Sequence, residues 1–176
     1  KSQALRTRNW AFKLQHQSRM SNSQPPSTMA GTNLRDTPGC REFFAPWILD
    51  MGMQVVAHSE ESVTLLLPND GKLRHGGGVM CGQAMMAAAD TATVITHALA
   101  NLNDLNGTIQ FNMVFLKPVA KFDLLVESRI VKASKTQVYS IVDFIRADKP
   151  GDIVAQATTI FARKANNGAT IQQSKL

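Results

Sequence analysis

The sequence has few cysteines, few charged residues and no long apolar run, and each shortage excludes a class of protein. Its 176 residues include two cysteines, Cys40 and Cys81, too few for a disulfide framework and without zinc-finger spacing. The longest apolar-rich run, residues 80–100, is interrupted by Asp90 and His97, which excludes a membrane-spanning helix. Hydrophobic residues make up 44% of the chain and charged residues 18%, which is enough apolar surface for the core of one domain.

The positive charge is confined to the N-terminal segment. Residues 1–35 carry six Lys or Arg and no acidic residue, whereas residues 36–176 carry thirteen of each sign, so the net charge of +6 lies in the first fifth of the chain. We predict a flexible basic tail over 1–35, a leader or an extension outside the fold, and one domain over 36–176. The tail leaves open an interaction with nucleic acid or a membrane surface, but it has no base-reading motif.

Hydrophobic periodicity predicts the first elements of the domain. Residues 40–51 have apolar residues at helical spacing, which predicts one short helix that ends at Gly52. Two strands are predicted next, at 53–58 and 62–67, joined by a polar turn.

A glycine-rich segment and a long helix follow. Five glycines lie within 71–82, and the Ala- and Met-rich residues 83–101 predict a buried central helix, with Met80, Met85 and Met86 in the core. Four alternating runs come next, at 109–115, 122–133, 136–147 and 153–163, the last three joined by hairpin-length turns. This order predicts an α+β domain whose antiparallel sheet wraps around a long central helix.

Asp90 stands out because it lies among alanines in the middle of the predicted helix. A carboxylate in an apolar setting costs free energy unless it is paired or has a function. Because the glycine-rich loop precedes it, we interpret Asp90 as catalytic. A paired buried Asp, or one on an exposed strip of the helix, is the alternative.

The start of the helix, at Cys81 and Gly82, offers free backbone N–H groups at the positive end of the helix dipole. Such an end can stabilise a developing oxyanion, although an ordinary glycine-rich turn has the same composition. Gly82 and Asp90 are eight residues apart, about 12 Å along a helix, so one chain cannot bring both to one reacting group. In a homodimer with antiparallel helices, each Asp90 can face the partner's Gly82.

The other chemically active residues give weaker signals. His75 can orient a substrate carbonyl or bond to its own loop, and His97 is expected to be a satisfied polar group near the helix end. Cys81 has no His–Asp pair at a recognisable spacing to activate it as a nucleophile. His75, Cys81 and Asp90 match no known metal-ligand pattern, so no metal is predicted.

Residues 43–163 resemble the hotdog-fold thioesterases of the PaaI-like acyl-CoA type. The strongest part is GGVMCGQAMMAAADTA, residues 77–92, with weaker parts at 108–118 and 154–161. The resemblance implies a hotdog fold, a homodimer or a dimer of dimers (a homotetramer), and hydrolysis of an acyl-CoA thioester to free acid and CoA in the cytoplasm. It implies no cofactor, because CoA is part of the substrate.

The family usually places a catalytic Asp nine positions after the His of a His-Gly-Gly motif. Asp90 matches this Asp, but Cys81 occupies the His position, and Cys81-Gly82-Gln83 is nearer to the Ser-Gly-Pro of some relatives. The resemblance implies that Asp90 is the general base or nucleophile, that the Gly82 N–H polarises the carbonyl, and that Thr108 positions the water.

The resemblance also implies a substrate-binding set, namely His75, Cys81 and Gln83. His75 falls where the family often has an Asn that contacts the thioester, and His75 or Gln83 would orient the carbonyl. Phe111, Met113 and Phe115 either line the acyl pocket or belong to the core. Because the fold also occurs in dehydratases and in non-catalytic acyl-CoA sensors, a binding or regulatory protein is the alternative function. Dehydratases of this fold pair a His with an acid, and no His here has the matching helix-start position.

Overall fold

The computed structural model of the protein describes residues 31–102 and 104–164. In this part of the chain the helices are α1 (Cys40–Phe43), α2 (Pro46–Leu49) and α3 (Gly82–Leu99), with one 3-10 turn at Gly71–Leu73. The strands are β1 (Thr32–Asn33), β2 (Gln54–His58), β3 (Ser62–Leu67), β4 (Leu105–Phe115), β5 (Leu124–Ala133), β6 (Gln137–Arg146) and β7 (Ile153–Arg163). Among these residues no helix is both long enough and apolar enough to cross a membrane.

The strands form one antiparallel sheet in the order β1-β2-β3-β5-β6-β7-β4. The predicted hairpins β5–β6 and β6–β7 are confirmed. The strand after the helix, β4, does not pair with β5; it lies beside β7 and forms one end of the sheet. The segment 116–123 therefore carries the chain back across the sheet, and the predicted α+β class is confirmed.

The sheet packs against α3 through alternating apolar side chains. β3, β5, β6 and β7 all contact the helix. On the helix, Ala88, Ala89 and Ala92 are fully buried. Because an Ala side chain ends at Cβ, the sheet can approach the helix backbone closely, and larger residues of the sheet such as Leu65 and Phe144 fill the space around it.

The single helix predicted for residues 40–51 is wrong. The chain forms two helices of four residues each, separated by extended backbone at Phe44 and Ala45. Pro46 causes the break, because a residue that precedes proline is disfavoured in the helical region. As a result Trp47, predicted on the buried face, is 60% exposed, whereas Ile48 is buried.

The boundary predicted at residue 36 is also wrong. β1 lies within the predicted tail and pairs with β2, and Leu34 is fully buried in the core. The domain therefore includes at least residues 31–35. The remainder of the predicted tail, 1–30, lies outside the described residues.

His97 lies near the end of α3 and is fully buried. Its Nε2 is 2.8 Å from the Ser140 hydroxyl, and its ring packs edge-on against Phe161 with 4.9 Å between the centroids. Nδ1 has no partner among the described residues, so His97 is only half satisfied. Burial lowers the pKa of His97 from 6.5 to about 4, because a charged imidazole would lose its hydration there.

We predict that His97 makes the fold less stable in acid. Between pH 6.5 and about 4 the unfolded chain binds a proton at His97 that the folded chain does not, so stability is complete above this range and falls within it. The loss reaches about 3 kcal/mol at the lower limit. Urea unfolding at neutral pH and at about pH 4.5 measures it. The variant His97→Gln should lose less stability between the two pH values than the wild type, and equal losses would contradict the prediction.

Candidate active site

Asp90 lies in the middle of α3, half-buried, beside the edge strand β4. The Thr108 hydroxyl, on β4, donates a hydrogen bond of 2.9 Å to Oδ1 of Asp90. Burial raises the pKa of Asp90, and the hydrogen bond from Thr108 opposes this shift because it stabilises the charged form. The structure thus places together two of the residues predicted to be catalytic.

One face of α3 is not covered by the sheet, and Asp90 lies on it. We call this face the open strip; its residues are spaced at helical intervals and are exposed or half-buried: Gln83, Met86, Ala87, Asp90 and Val94. Met86 is 38% exposed, so its predicted place in the core is wrong, whereas Met80 and Met85 are buried as predicted. The strip presents a carboxylate within a mainly apolar surface.

The start of α3 offers backbone donors. Cys81 is the N-cap residue, and its side chain makes no capping hydrogen bond. The amides of Gly82 and Gln83, the first two residues of the helix, have no acceptor within it. A Cβ at Gly82 would lie 3.1 Å from the Phe115 ring, so the ring packs closely against the helix start.

His75 is held by its own loop. Its Nδ1 accepts a hydrogen bond of 2.9 Å from the Gly77 amide. The neutral imidazole therefore carries its proton on Nε2, which makes that nitrogen a donor. Gly78, with φ of 79°, closes the turn and donates its amide to the His75 carbonyl at 2.9 Å.

Two cavities flank the helix start. The first, which we call the loop cavity, has a volume of about 380 Å³ and is lined in part by His75, Gly82, Phe115 and Lys117. The second, which we call the Trp47 cavity, has a volume of about 400 Å³ and is lined in part by Trp47, Met51, Leu73, Cys81, Gln83 and Ala84. The predicted substrate-binding residues are therefore divided, with His75 on one side and Cys81 and Gln83 on the other.

The two halves of the predicted catalytic machinery remain apart within one chain. Gly82 and Asp90 belong to the same helix, and about 12 Å of helix axis separates them. Among the described residues no three His, Cys, Asp or Glu side chains lie close enough to hold a metal ion.

Sequence reasoning missed the contributions of Trp47 and Lys117 to the cavities. The sequence signal that could have predicted the exposure of Trp47 is Pro46, because a proline starts a new helix and so changes which side chains face the core. No sequence signal placed Lys117 at the helix start, because its position follows from the pairing of β4 with β7. Three residues were predicted either to line the acyl pocket or to belong to the core. Phe115 lines the loop cavity, whereas Phe111 and Met113 pack against the core.

No known family profile matches the chain, and no curated protein has significant sequence similarity to it. Solved structures are similar in fold. Zebra fish thioesterase superfamily member 2 superposes with a TM-score of 0.63 at 15% identity, covering 74% of this chain and 91% of that one. A mutant form of the phenylacetic acid degradation protein PaaI from Thermus thermophilus gives a TM-score of 0.60 at 16% identity, covering 68% of this chain and 100% of that one.

A third similar structure, the PaaI protein of E. coli, gives a TM-score of 0.59 at 15% identity, covering 65% of this chain and 85% of that one. The chain has the hotdog fold, with an antiparallel sheet of seven strands around one long helix, and its structural neighbours are PaaI-type and thioesterase-superfamily proteins. The predicted fold and the resemblance on which it rested are confirmed.

We predict that Thr108→Val raises the pKa of Asp90. The valine keeps the shape of the side chain but removes the donor that stabilises the carboxylate. The effect of burial, which raises the pKa of Asp90, is then no longer offset by the hydrogen bond. Titration of the Asp90 carboxyl carbon by NMR measures the change. Thr108→Ser retains the hydroxyl and should leave the titration near that of the wild type. An unchanged pKa in Thr108→Val would contradict the role of this hydrogen bond.

Proposed function

We propose that the protein hydrolyses an acyl-CoA thioester to a free acid and CoA. The main support is the half-buried Asp90 carboxylate, which is hydrogen-bonded to Thr108 and lies on the open strip. A raised pKa brings this carboxylate closer to the working pH, where a general base is most effective. The free amides at the helix start support the same reaction, and so does the fold that the chain shares with zebra fish thioesterase superfamily member 2.

In this proposal the thioester oxygen accepts a hydrogen bond from the Gly82 amide, which polarises the carbonyl. Asp90 removes a proton from a water that attacks the carbonyl carbon, while the Thr108 oxygen helps to position that water. The tetrahedral intermediate then collapses, and the departing CoA sulfur takes the proton from Asp90. Direct attack by Asp90, followed by hydrolysis of an anhydride, uses the same groups and is the alternative route.

The distance between Gly82 and Asp90 leads us to propose a site shared by two copies of the chain. β4 is an end strand, and Ile109, Val114 and Leu116 expose 56%, 51% and 57% of their surfaces along it or just beyond it. Pairing of β4 with the β4 of a second copy would bury this edge. It would also turn the two open strips toward each other, so that each Asp90 could reach the partner's Gly82.

His75 lines the loop cavity and Gln83 lines the Trp47 cavity, and both would help to orient the carbonyl that the Gly82 amide binds. In this proposal the Nε2 of His75 would donate a hydrogen bond to the carbonyl or to the amide groups of the CoA arm. We propose that Cys81 contributes its backbone and its small side chain to the binding surface. The absence of cofactor and metal, a cytoplasmic location and a homotetramer stay predictions.

We predict that Asp90→Asn lowers kcat for acyl-CoA hydrolysis by about 10²- to 10⁴-fold, because the amide cannot accept a proton from water. A thiol-release assay with a panel of acyl-CoA substrates measures it. Asp143→Asn is the matched control, since Asp143 lies on β6 and bonds to Gln156. Equal rates in the wild type and Asp90→Asn would remove Asp90 from the mechanism. Thermal stabilisation by acyl-CoA without any turnover would favour the alternative, a non-catalytic acyl-CoA-binding protein. The presence of Cys81 where the family usually has a His favours the same alternative.

We predict that Gly82→Pro lowers kcat by about 10²- to 10³-fold, because proline has no N–H to donate to the carbonyl oxygen, yet it is accepted at the first position of a helix. Gly82→Ala is the matched control: it adds the same Cβ beside Phe115 but keeps the amide donor. A rate as low in Gly82→Ala as in Gly82→Pro would point to crowding and would contradict a role for the amide.

We predict that inactive Asp90→Asn and Gly82→Pro chains regain activity when they are mixed. A mixed dimer has one site with both groups intact, so complete exchange of chains restores about a quarter of the wild-type rate. The measurement is hydrolysis before and after the two variants are mixed and allowed to exchange. If each chain held its own complete site, mixing would restore nothing.

A further inference from the structure

The Trp47 cavity is a second space beside the reacting position, and the proposed chemistry does not use it. Cys81 and Gln83, which line it, are the immediate neighbours of Gly82, whose amide is proposed to hold the thioester oxygen. A thioester carbonyl carbon carries two substituents, an acyl group and a sulfur, and they diverge from the oxygen. Gly82 itself lines the loop cavity and its neighbours Cys81 and Gln83 line the Trp47 cavity, which leaves one cavity for each substituent.

The two cavities differ in chemistry. The loop cavity is lined in part by His75, whose Nε2 donor suits the amides of CoA, and the Lys117 ammonium at this cavity is paired with Asp152. The Trp47 cavity is mainly apolar, and its two charged residues are already paired: Asp50 with Arg35, and Lys72 with Asp70 at 3.3 Å. A ligand in the Trp47 cavity would therefore gain mostly by burying apolar surface.

Trp47 is the largest exposed apolar side chain at this cavity. It is 60% exposed, although the next two residues of α2, Ile48 and Leu49, are buried in the core. An indole left in water at the mouth of an apolar cavity can be covered by a ligand, and ligand pockets are typically lined by such aromatic groups.

The size of the cavity limits what it can take. Its volume of about 400 Å³ lies near the lower end of the roughly 300–1,000 Å³ that is usual for ligand pockets. It has room for a short or medium acyl chain or a single aromatic ring.

We propose that the Trp47 cavity receives the acyl group, and that Trp47 makes the protein selective for apolar acyl groups of short to medium length or with one aromatic ring. This inference rests on the proposed hydrolysis of acyl-CoA and assigns its substrate class. Trp47 is a specificity-determining residue that takes no part in proton transfer. Its contribution depends on acyl size, because an acetyl group is too small to reach the indole.

Kinetics of Trp47→Ala across an acyl-CoA series test the proposal. For hexanoyl-CoA and phenylacetyl-CoA we expect kcat/KM to fall about tenfold, mainly through KM, and for acetyl-CoA to change less than about twofold. Phe43→Ala is the matched control, since Phe43 is another exposed aromatic on a neighbouring short helix and does not line the cavity. An equal loss for all substrates, no loss, or the same pattern in Phe43→Ala would overturn the proposal.

A second measurement does not depend on turnover. In a Trp10→Phe background, Trp47 is the one remaining tryptophan. We expect S-hexyl-CoA, a thioether that cannot be hydrolysed, to shift Trp47 emission to the blue, and CoA alone to leave it unchanged. A blue shift in a protein that hydrolyses no thioester would support the cavity assignment and contradict the proposed function. Hydrolysis of acyl-CoA with no shift in Trp47 emission and no dependence on the acyl group would support the proposed function and contradict the cavity assignment.

The same spectrum tests the other possible occupant, the chain's own residues 1–30. If the emission is already blue-shifted without ligand, and moves to the red when residues 1–30 are deleted, that segment occupies the cavity and the proposal is overturned. If the deletion leaves both the emission and the response to S-hexyl-CoA unchanged, the acyl assignment is supported.

Discussion

The position of Asp90 and Gly82 on one rigid helix is the constraint on which the proposed chemistry depends. A helix cannot fold back on itself, so a carboxylate and an amide separated by more than two turns cannot meet at one small group. In the proposed function, each chain therefore supplies two incomplete sites: Asp90 as a base with its Thr108 partner, and the Gly82 amide as a donor with its neighbouring cavities. A second copy related by a two-fold axis would join them and would produce two equivalent sites.

The alanines of α3 make this arrangement possible because they separate a covered face from an open one. Ala88, Ala89 and Ala92 let the sheet approach closely on one side, while the open strip stays uncovered on the other. Burial has different consequences on the two faces. It raises the pKa of Asp90, where Thr108 offsets part of the effect, and it lowers the pKa of His97, where nothing does. The same loss of hydration raises the pKa of the proposed base at one position and, as predicted above, reduces stability in acid at the other.

The sequence predicted those features that depend on local pattern. Alternation in residues 153–163 and the Ala-rich run after the glycine loop were sufficient for β7 and α3, because period and composition are properties of neighbouring residues. The pairing of β4 with β7 could not be predicted, since it joins segments distant in the chain. The roles of Asp90 and Thr108 as a pair could be predicted only from the resemblance to a known family. The hydrogen bond between them could not be predicted, because it depends on how β4 packs beside the helix.

In the proposed dimer, the exposed edge of β4 would connect stability with activity. β4 pairs with β7 along one edge only, and its other edge, with Ile109 and Val114 exposed on the strand and Leu116 just beyond it, invites pairing with another chain, since proteins usually protect such edges. If a second copy provides the protection, the contact that buries this edge is the same contact that brings Asp90 to the partner's Gly82. Thr108 lies on β4 itself, so the strand would hold the base in place and form the interface at once. Separation of the copies would then abolish hydrolysis without unfolding the chain, and activity would depend on protein concentration.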